Sequence, residues 1–143
     1  MLTFLNLEAE GFCSIESLHL QLNPTCTILI KAPNGKGKST ILSSLVWAIY
    51  GKNLKGVSEV NTWKQVRPKD YKGTRVQVYF QKDSHTYKII RCQKYEGVLD
   101  DGAKGKDRLI FMKDGDIVDI KGKGKIQDFI NREIGLSYTL FMN

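Results

Sequence analysis

Hydrophobic and polar residues alternate with a period of two along much of the chain, which predicts several β-strands. In the stretch IESLHLQL, residues 15–22, the leucines Leu18, Leu20 and Leu22 fall on one face, as in a strand with one buried side. The run TCTILI, residues 25–30, is largely apolar and β-branched, as expected of a strand buried on both faces. The other predicted strands span residues 2–8, 75–82 and 85–92, and residues 109–120 form a predicted hairpin.

Turn residues and helical spacing supply the remaining elements. Asp83-Ser84 and Asp114-Gly115 are the expected turns of the two later hairpins. Apolar residues at helical spacing predict one helix that ends at Gly51 and a second over residues 126–135 that ends at Gly135. The apolar positions are Ile41, Leu42, Leu45, Val46, Ala48 and Ile49 in the first helix, and Ile126, Phe129, Ile130 and Ile134 in the second.

The segments between these elements are polar. Residues 52–73 are predicted to form a loop with a short element near residues 57–60. Residues 94–108 are rich in Gly and Asp with little to bury, so we expect them to be mobile. Ser137 is expected to cap a further helix from Tyr138, which the end of the sequence interrupts.

The positive charge of the chain is concentrated in one stretch. The net charge is +7, but residues 31–75 hold ten Lys or Arg against Glu59 and Asp70, a net of +8, so the rest sums to −1. Polyanions are the natural partners of such a stretch, either nucleotide phosphates or nucleic acid. A solvated lysine-rich surface explains the charge equally well.

Cysteine usage and hydropathy indicate the cellular compartment. Cys13, Cys26 and Cys92 are odd in number and far apart, which fits reduced thiols rather than a disulfide framework or zinc site. No apolar run approaches the ~20 residues that span a membrane, and the N-terminus has no signal-peptide pattern. We therefore expect a cytoplasmic protein with no membrane partner.

The stretch KAPNGKGKST, residues 31–40, fits the phosphate-binding pattern GxxxxGK[ST], with Ala32 in place of the first glycine. Glycines in this loop let backbone N–H groups point inward at an anion, and the helix that follows adds its unpaired amides and positive dipole end. A chance basic turn is the alternative, but the loop lies between a predicted buried strand and a predicted amphipathic helix, as the motif requires. The predicted nucleotide-binding residues are Asn34, Gly35, Lys36, Gly37, Lys38, Ser39 and Thr40.

Three side chains of the loop have specific predicted roles. Lys38 is expected to reach the β- and γ-phosphates, Ser39 to ligate Mg²⁺, and Thr40 to hydrogen-bond an α-phosphate. Two further Gly-Lys stretches, GAKGKD at 102–107 and KGKGKIQ at 121–127, have no Ser or Thr after the lysine and are interpreted as solvated loops.

No catalytic residue is identified in the chain. The nearest match to a Walker B strand, which would end in a carboxylate for Mg²⁺, is IFMKD, but Asp114 is better explained by the Asp-Gly turn. His19, on the polar face of its strand, and His85, beside a turn, belong to no catalytic or metal cluster. Trp47 and Trp63 are interpreted as packing residues.

Four stretches in order point to a known family. They are LNLEAEGFCSIESLHLQL, ILIKAPNGKGKSTILSSLVWAIYGK, VQVYFQKDSHTYKIIR and IQDFINREIGLSYTLFMN. They resemble the opening hairpin, the phosphate loop with its helix, a later hairpin and the segment before the glutamine loop of an SMC-like ATPase head, closest to the SbcC family of double-strand-break repair ATPases. Cys13 stands where that family has a basic residue that helps to hold nucleotide, a divergence compatible with a phage-encoded recombination protein.

The resemblance implies an α/β fold of the P-loop NTPase class. Residues 1–143 would form the N-terminal lobe of an ABC-type ATPase head, with a mixed sheet and an antiparallel β-subdomain. It implies ATP and Mg²⁺ as cofactors. The implied partners are the C-terminal half of the head, a second head, an SbcD-type nuclease and DNA.

Parts of the family pattern are absent from the sequence: the glutamine loop, the coiled coil with its zinc hook, the signature motif and Walker B. We therefore expect this chain to bind ATP without efficient hydrolysis unless the C-terminal half completes it. The candidate DNA-contacting residues are Lys52, Lys55, Lys64, Arg67, Lys69, Lys72 and Arg75.

Three other functions use similar features. An ABC transporter nucleotide domain has the same loop but needs a transmembrane partner, and the order of the four stretches argues against it. A small P-loop kinase needs an arginine-bearing lid and a Walker B strand, which the sequence lacks. A non-hydrolysing DNA-binding module whose loop is only structural would bind no nucleotide.

Overall fold

The computed structural model describes residues 2–13, 15–21, 35–52, 56–62 and 64–135. Within these ranges, the chain forms two helices, eight strands and one short 3₁₀ helix, Lys64–Val66. The helices are α1 (Gly35–Tyr50) and α2 (Lys123–Ile134). The strands are β1 (Leu2–Phe12), β2 (Ile15–Gln21), β3 (Thr74–Lys82), β4 (His85–Gln93), β5 (Tyr95–Val98), β6 (Lys104–Lys106), β7 (Leu109–Lys113) and β8 (Asp116–Ile117).

The main sheet has the strand order β2-β1-β3-β4-β7-β8, and each of its described neighbouring pairs is antiparallel. One row of apolar residues crosses it, since Leu7 pairs with Leu20 and Val78, Val78 pairs with Ile89, and Ile89 pairs with Phe111. Because side chains alternate across a strand, a shift of one residue would move this whole row to the other face. The alternation in the sequence therefore fixes the register.

Both helices pack on the face that carries this row. Phe80, Tyr87 and Phe111 stack with ring centroids 4.9 and 5.6 Å apart, and Phe129 of α2 meets Phe111 edge-on at 5.8 Å. The second half of α1, from Val46 to Tyr50, is buried. The core thus lies between α1, α2 and one side of the sheet.

Most predicted strands and turns are confirmed within a residue or so. The strands at 75–82 and 85–92 are β3 and β4, and their turn residues Asp83 and Ser84 have φ of 51° and 69°, as a two-residue type I′ turn requires. The strand predicted at 2–8 continues to Phe12, because Ala9 and Phe12 also fill the core. The hairpin predicted at 109–120 is shorter, since β8 ends at Ile117.

The prediction that residues 94–108 are mobile is wrong. This stretch forms the hairpin of β5 and β6, which lies against the sheet face opposite the helices. Tyr95 provides the burial that composition alone did not show, because it packs with Ile90 and Cys92 and donates a hydrogen bond to Glu10 Oε2 at 2.9 Å. A Cβ at Gly105 would lie 2.7 Å from the Tyr95 ring, so glycine is required there.

Both Gly-Lys stretches interpreted as solvated loops are also corrected. GAKGKD contains β6, and KGKGKIQ contains the first turn of α2, which begins at Lys123 instead of residue 126. The apolar face predicted for α2 is confirmed, with Ile130 and Ile134 buried and Ile126 and Phe129 half-buried. In α1, Leu42 is the exception to the predicted apolar face, because it is 47% exposed.

Residues 57–60 form no regular element, although Val60 is buried. The strand predicted at 25–30, the helix predicted from Tyr138, and Cys26 and Trp63 lie outside the described residues. No helix in the described part of the chain is both long and apolar enough to cross a membrane.

Candidate functional site

The phosphate-binding motif leads directly into α1. The helix begins at Gly35, so the motif residues from Gly35 to Ser39 form its first turn. The first four N–H groups of an α-helix have no acceptor within the helix, and they lie at the positive end of its dipole. The first turn of α1 contains no acidic residue that would compete for these groups. This backbone arrangement suits an anion such as a phosphate.

Most side chains of the motif lie outside the described part of the structure. Asn34 lies outside the described residues, as do the side chains of Lys36, Lys38 and Ser39. Thr40 is described and is half-buried in α1. The roles of these residues toward phosphate and Mg²⁺ therefore stay predictions.

The far end of α1 is fixed by side chains from β4 and α2. Arg91 donates from Nε to the Ala48 carbonyl at 3.1 Å and from Nη2 to the Ile49 carbonyl at 3.3 Å. Gln127 donates to the same Ile49 carbonyl at 2.8 Å and accepts a hydrogen bond from Arg91 Nη2. Burial lowers the pKa of Arg91 to about 10, so the guanidinium stays charged at neutral pH. We call Arg91 and Gln127 the α1 clasp.

Cys13 lies in the hairpin between β1 and β2, where the resemblance described above leads us to expect a basic residue. Its N–H donates to the Val60 carbonyl at 2.8 Å, and its own carbonyl accepts from the Thr62 hydroxyl at 2.6 Å. Burial, and then the charge of Glu59, raise the pKa of the Cys13 thiol, so the thiol is neutral at physiological pH. Neither a thiol nor a thiolate is positively charged, so Cys13 supplies no positive charge to a nucleotide.

Asn61 connects the loop before the 3₁₀ helix to the sheet. It is 8% exposed, and its Nδ2 donates to Thr74 Oγ1 at 2.7 Å, to the Gln93 carbonyl at 3.0 Å and to the Tyr71 hydroxyl at 3.2 Å. Thr74 and Tyr71 in turn donate to the Gly11 carbonyl at 2.8 and 3.3 Å. This network fixes the end of β1 next to Cys13.

A cavity of about 290 Å³ adjoins the same network. Three carboxylates and one lysine are its charged lining residues: Glu10, Glu16, Asp70 and Lys72. This excess of negative charge disfavours a phosphate group. The N-terminus of α1 is therefore the better candidate for phosphate binding.

The basic residues proposed for DNA contact divide into two groups. The side chains of Arg67 and Arg75 form contacts within the chain. Arg67 donates to the Thr62 carbonyl at 2.5 Å, and Arg75 lies 3.8 Å from Glu10 Oε2. The exposed ones are Lys52, Lys64, Lys69 and Lys72, whereas Lys55 lies outside the described residues. The exposed lysines therefore remain the candidates for DNA contact.

Asp114 has the structural role that its Asp-Gly sequence predicts. It adopts φ 51° in the turn, where its Oδ1 accepts from the Thr86 N–H at 2.9 Å and its Oδ2 lies 2.6 Å from His85 Nδ1. These hydrogen bonds, that from the Thr86 N–H first, lower the pKa of Asp114. His19 is exposed near Glu8, and Trp47 is buried against Phe12, as predicted for a packing residue.

The sequence analysis missed the clasp and Asn61. For Arg91 a signal existed, because the alternation of HTYKIIRC places it on the same face as Tyr87 and Ile89, which are core residues. A charged residue at a core-facing strand position needs polar partners. For Asn61 the surrounding loop has no periodicity that would distinguish a buried amide from a solvated one.

Comparison with known proteins gives a family and a fold. The sequence model of the AAA domain family matches residues 6–142. A structure of the recombination mediator protein RecF with ATP, from the RecFOR pathway, has a TM-score of 0.57 and 20% identity, and the match covers 87% of this chain and 30% of the RecF chain. A second RecF structure, with ATPrS, has a TM-score of 0.57 and 18% identity, and covers 87% of this chain and 29% of that one.

This chain thus spans less than a third of the RecF chains. No curated protein matches the sequence. The likeness in fold confirms the predicted α/β P-loop ATPase class, with its antiparallel sheet.

Proposed function

Because this chain belongs to the AAA domain family, we propose that it binds Mg-ATP at the N-terminus of α1 as part of a DNA repair or recombination ATPase. The observation that carries the proposal is the position of the motif, since GKGKS forms the first turn of a helix whose other end is fixed in the core. The unpaired N–H groups at the first turn of a helix that is anchored at its other end can hold phosphates without moving the core.

Mg²⁺ fits this proposal through Ser39, whose hydroxyl would be its ligand, with Lys38 beside the β- and γ-phosphates. When bound, the ion neutralises charge on the phosphate oxygens. The chain's own contribution is the row of N–H groups of α1, which orients the phosphates.

A calorimetric titration with Mg-ATP tests the site. We expect the parent chain to bind and Lys38→Ala to lose binding. Lys125→Ala is a matched control, because Lys125 also follows a glycine in the first turn of a helix, α2, but lacks the Ser that follows Lys38. Absence of binding by the parent, or equal loss in both variants, would contradict the proposal and favour a structural loop.

We also propose that this chain is the N-terminal lobe of an SbcC-like head, whose C-terminal half supplies the catalytic carboxylate. Such a head would pair with a second head across ATP and act with an SbcD-type nuclease on DNA ends. Steady-state ATPase assays should then show little turnover by the chain alone and clear turnover when the C-terminal half is added. Turnover by the chain alone would contradict this division of roles.

A recombination mediator that works without a nuclease is a second candidate, favoured by the likeness in fold to RecF. The two candidates differ in their partner. Stoichiometric binding of a purified SbcD-type nuclease to the completed head would support the SbcC-like function, and no binding would favour the mediator.

DNA contact is proposed for the exposed lysines of the basic stretch. Each phosphate neutralised changes the slope of log affinity against log salt by about 0.9 on duplex DNA. Replacing Lys64, Lys69 and Lys72 with Ala should therefore flatten the slope by about 2 to 3. The matched control removes three exposed lysines elsewhere: Lys104, Lys121 and Lys125. Equal slopes in both triple variants would contradict a specific DNA surface.

A further inference from the structure

The α1 clasp joins two elements that are far apart in sequence. Ile49 and Gln127 are 78 residues apart, yet Gln127 Nε2 and the Ile49 carbonyl are 2.8 Å apart. The last carbonyls of an α-helix have no partner within the helix. Two of those in α1, at Ala48 and Ile49, receive their donors from β4 and α2. The clasp therefore supplies these two carbonyls with donors from distant parts of the sequence.

Neighbouring groups closely surround the two side chains of the clasp. Gly51, which follows α1, has φ 79°, and its N–H donates to the Trp47 carbonyl at 2.7 Å. A Cβ at this position would lie 3.0 Å from Arg91 Nη1. Gln127 is held from a second side, because its Nε2 also donates to Asn131 Oδ1 at 3.0 Å. Both members of the clasp thus have fixed positions.

α1 connects the clasp to the phosphate-binding loop as a rigid element. Its 16 residues span about 24 Å at ~1.5 Å per residue. Its first turn belongs to the motif and its last turn to the clasp. A ligand that shifts or steadies the first turn of α1 would therefore act on α2 through hydrogen bonds to the same helix.

We propose that Arg91 and Gln127 are positioning residues that couple the phosphate-binding helix to α2, so that a nucleotide at the loop stabilises α2. This inference rests on the proposed ATP binding. The coupling passes through the Arg91 guanidinium and the Gln127 side-chain amide, rather than through the contacts of α2 with the sheet.

Amide hydrogen exchange with and without saturating Mg-ATP tests the coupling in the 143-residue chain. The informative amides of α2 are those that exchange by local opening, faster than the slowest core amides of β3 and β4. At an ATP concentration near 100 times Kd, amides whose opening requires release of the nucleotide slow by up to about 100-fold. We expect the α2 amides of the parent to slow by at least about tenfold under these conditions.

Two variants interrupt the clasp by different means. Gln127→Ala removes the α2 side of the connection. Arg91→Lys keeps a positive charge at the end of α1 but loses the planar fork that reaches Ala48, Ile49 and Gln127 together. In both variants, nucleotide should still protect the first turns of α1, while its effect on α2 falls below about twofold. Comparing each variant with and without ATP removes any change in basal stability.

Tyr87→Phe is the matched control. It removes the hydrogen bond from the Tyr87 hydroxyl to Glu133 Oε2, 2.6 Å long, which attaches α2 to the sheet and not to α1. Nucleotide-dependent protection of α2 should persist in this variant. Loss of this protection in Tyr87→Phe would overturn the proposal, because α2 would then be coupled to the nucleotide through the sheet.

The outcomes separate this inference from the proposed function. ATP binding with unchanged exchange in α2 of the parent overturns the coupling and leaves the proposed function standing. Protection of α2 that survives in both Gln127→Ala and Arg91→Lys also overturns the coupling. No ATP binding by the parent overturns the proposed function and the coupling with it.

Discussion

Asn61 is the residue whose removal gives the clearest test of how the end of β1 is held. Asn61→Ala removes an amide NH2 group that lies within hydrogen-bond distance of three acceptors, on Thr74, Gln93 and Tyr71. The group has two N–H donors and so makes two full hydrogen bonds. At about 1 kcal/mol net for each bond, the loss is about 2 kcal/mol. Asn61 Oδ1 is buried and has no donor among the described residues, so its removal returns about 1 kcal/mol. The expected net destabilisation is about 1 kcal/mol.

Urea unfolding measures this difference. With an m-value of about 2 kcal/mol per molar, the midpoint should fall by about 0.5 M without a change in slope. Asn61→Asp should be worse than Asn61→Ala, because it places a carboxylate in a buried site beside the Gln93 carbonyl. Gln65→Ala, exposed in the 3₁₀ helix, is the control and should lie within about 0.5 kcal/mol of the parent. A loss below about 0.5 kcal/mol for Asn61→Ala, or a stable Asn61→Asp, would refute the reasoning.

Two further predictions concern α1 and α2. Gly51→Ala should lower stability by about 1–2 kcal/mol in thermal unfolding, through its φ of 79° and its approach to Arg91. Gly102→Ala is the control for backbone strain, because Gly102 has φ 83° and no atom lies within 4 Å of the added Cβ. An equal loss of stability in the two variants would show that the contact with Arg91 contributes nothing to the loss at Gly51. The hydrogen bond from Tyr87, and then that from Lys113, lower the pKa of Glu133 below its usual 4.5. The stability that ionised Glu133 contributes to the fold is therefore present above pH 4.5 and is lost as the pH falls through the folded-state pKa. The stability difference between parent and Glu133→Gln should therefore shrink below pH 4.5, and a difference independent of pH would contradict this assignment.

Local patterns were sufficient for most elements of the fold. Alternation over residues 75–82 and 85–92, with the Asp83-Ser84 turn, predicted β3 and β4, because burial of one face acts on every second residue of a strand. The pattern failed over residues 94–108, where Tyr95 gives a Gly-rich hairpin buried apolar contacts with Ile90 and Cys92. The composition of that segment does not indicate that a partner surface of Ile90 and Cys92 is available.

Local patterns predicted only part of the candidate site. The motif from Ala32 to Ser39 predicted a loop followed by a helix, and α1 begins earlier than this, at Gly35 within the motif. The division of the basic stretch was not predictable, because Arg67 and Arg75 are as basic in sequence as Lys64 and Lys69. Only their neighbours, the Thr62 carbonyl and the Glu10 carboxylate, distinguish them.

The sequence by itself determined the strand and helix periods, the turn positions and the phosphate-binding motif, since each depends on residues within a few positions of one another. The tertiary structure alone decided that Arg91 and Gln127 hold the end of α1, and that Asn61 holds the end of β1. Arg91 and Ala48 are 43 residues apart, and their hydrogen bond forms only because α1 packs across β4. Local periodicity specifies which face of an element is buried, whereas the partner of a buried polar group depends on which other element covers that face.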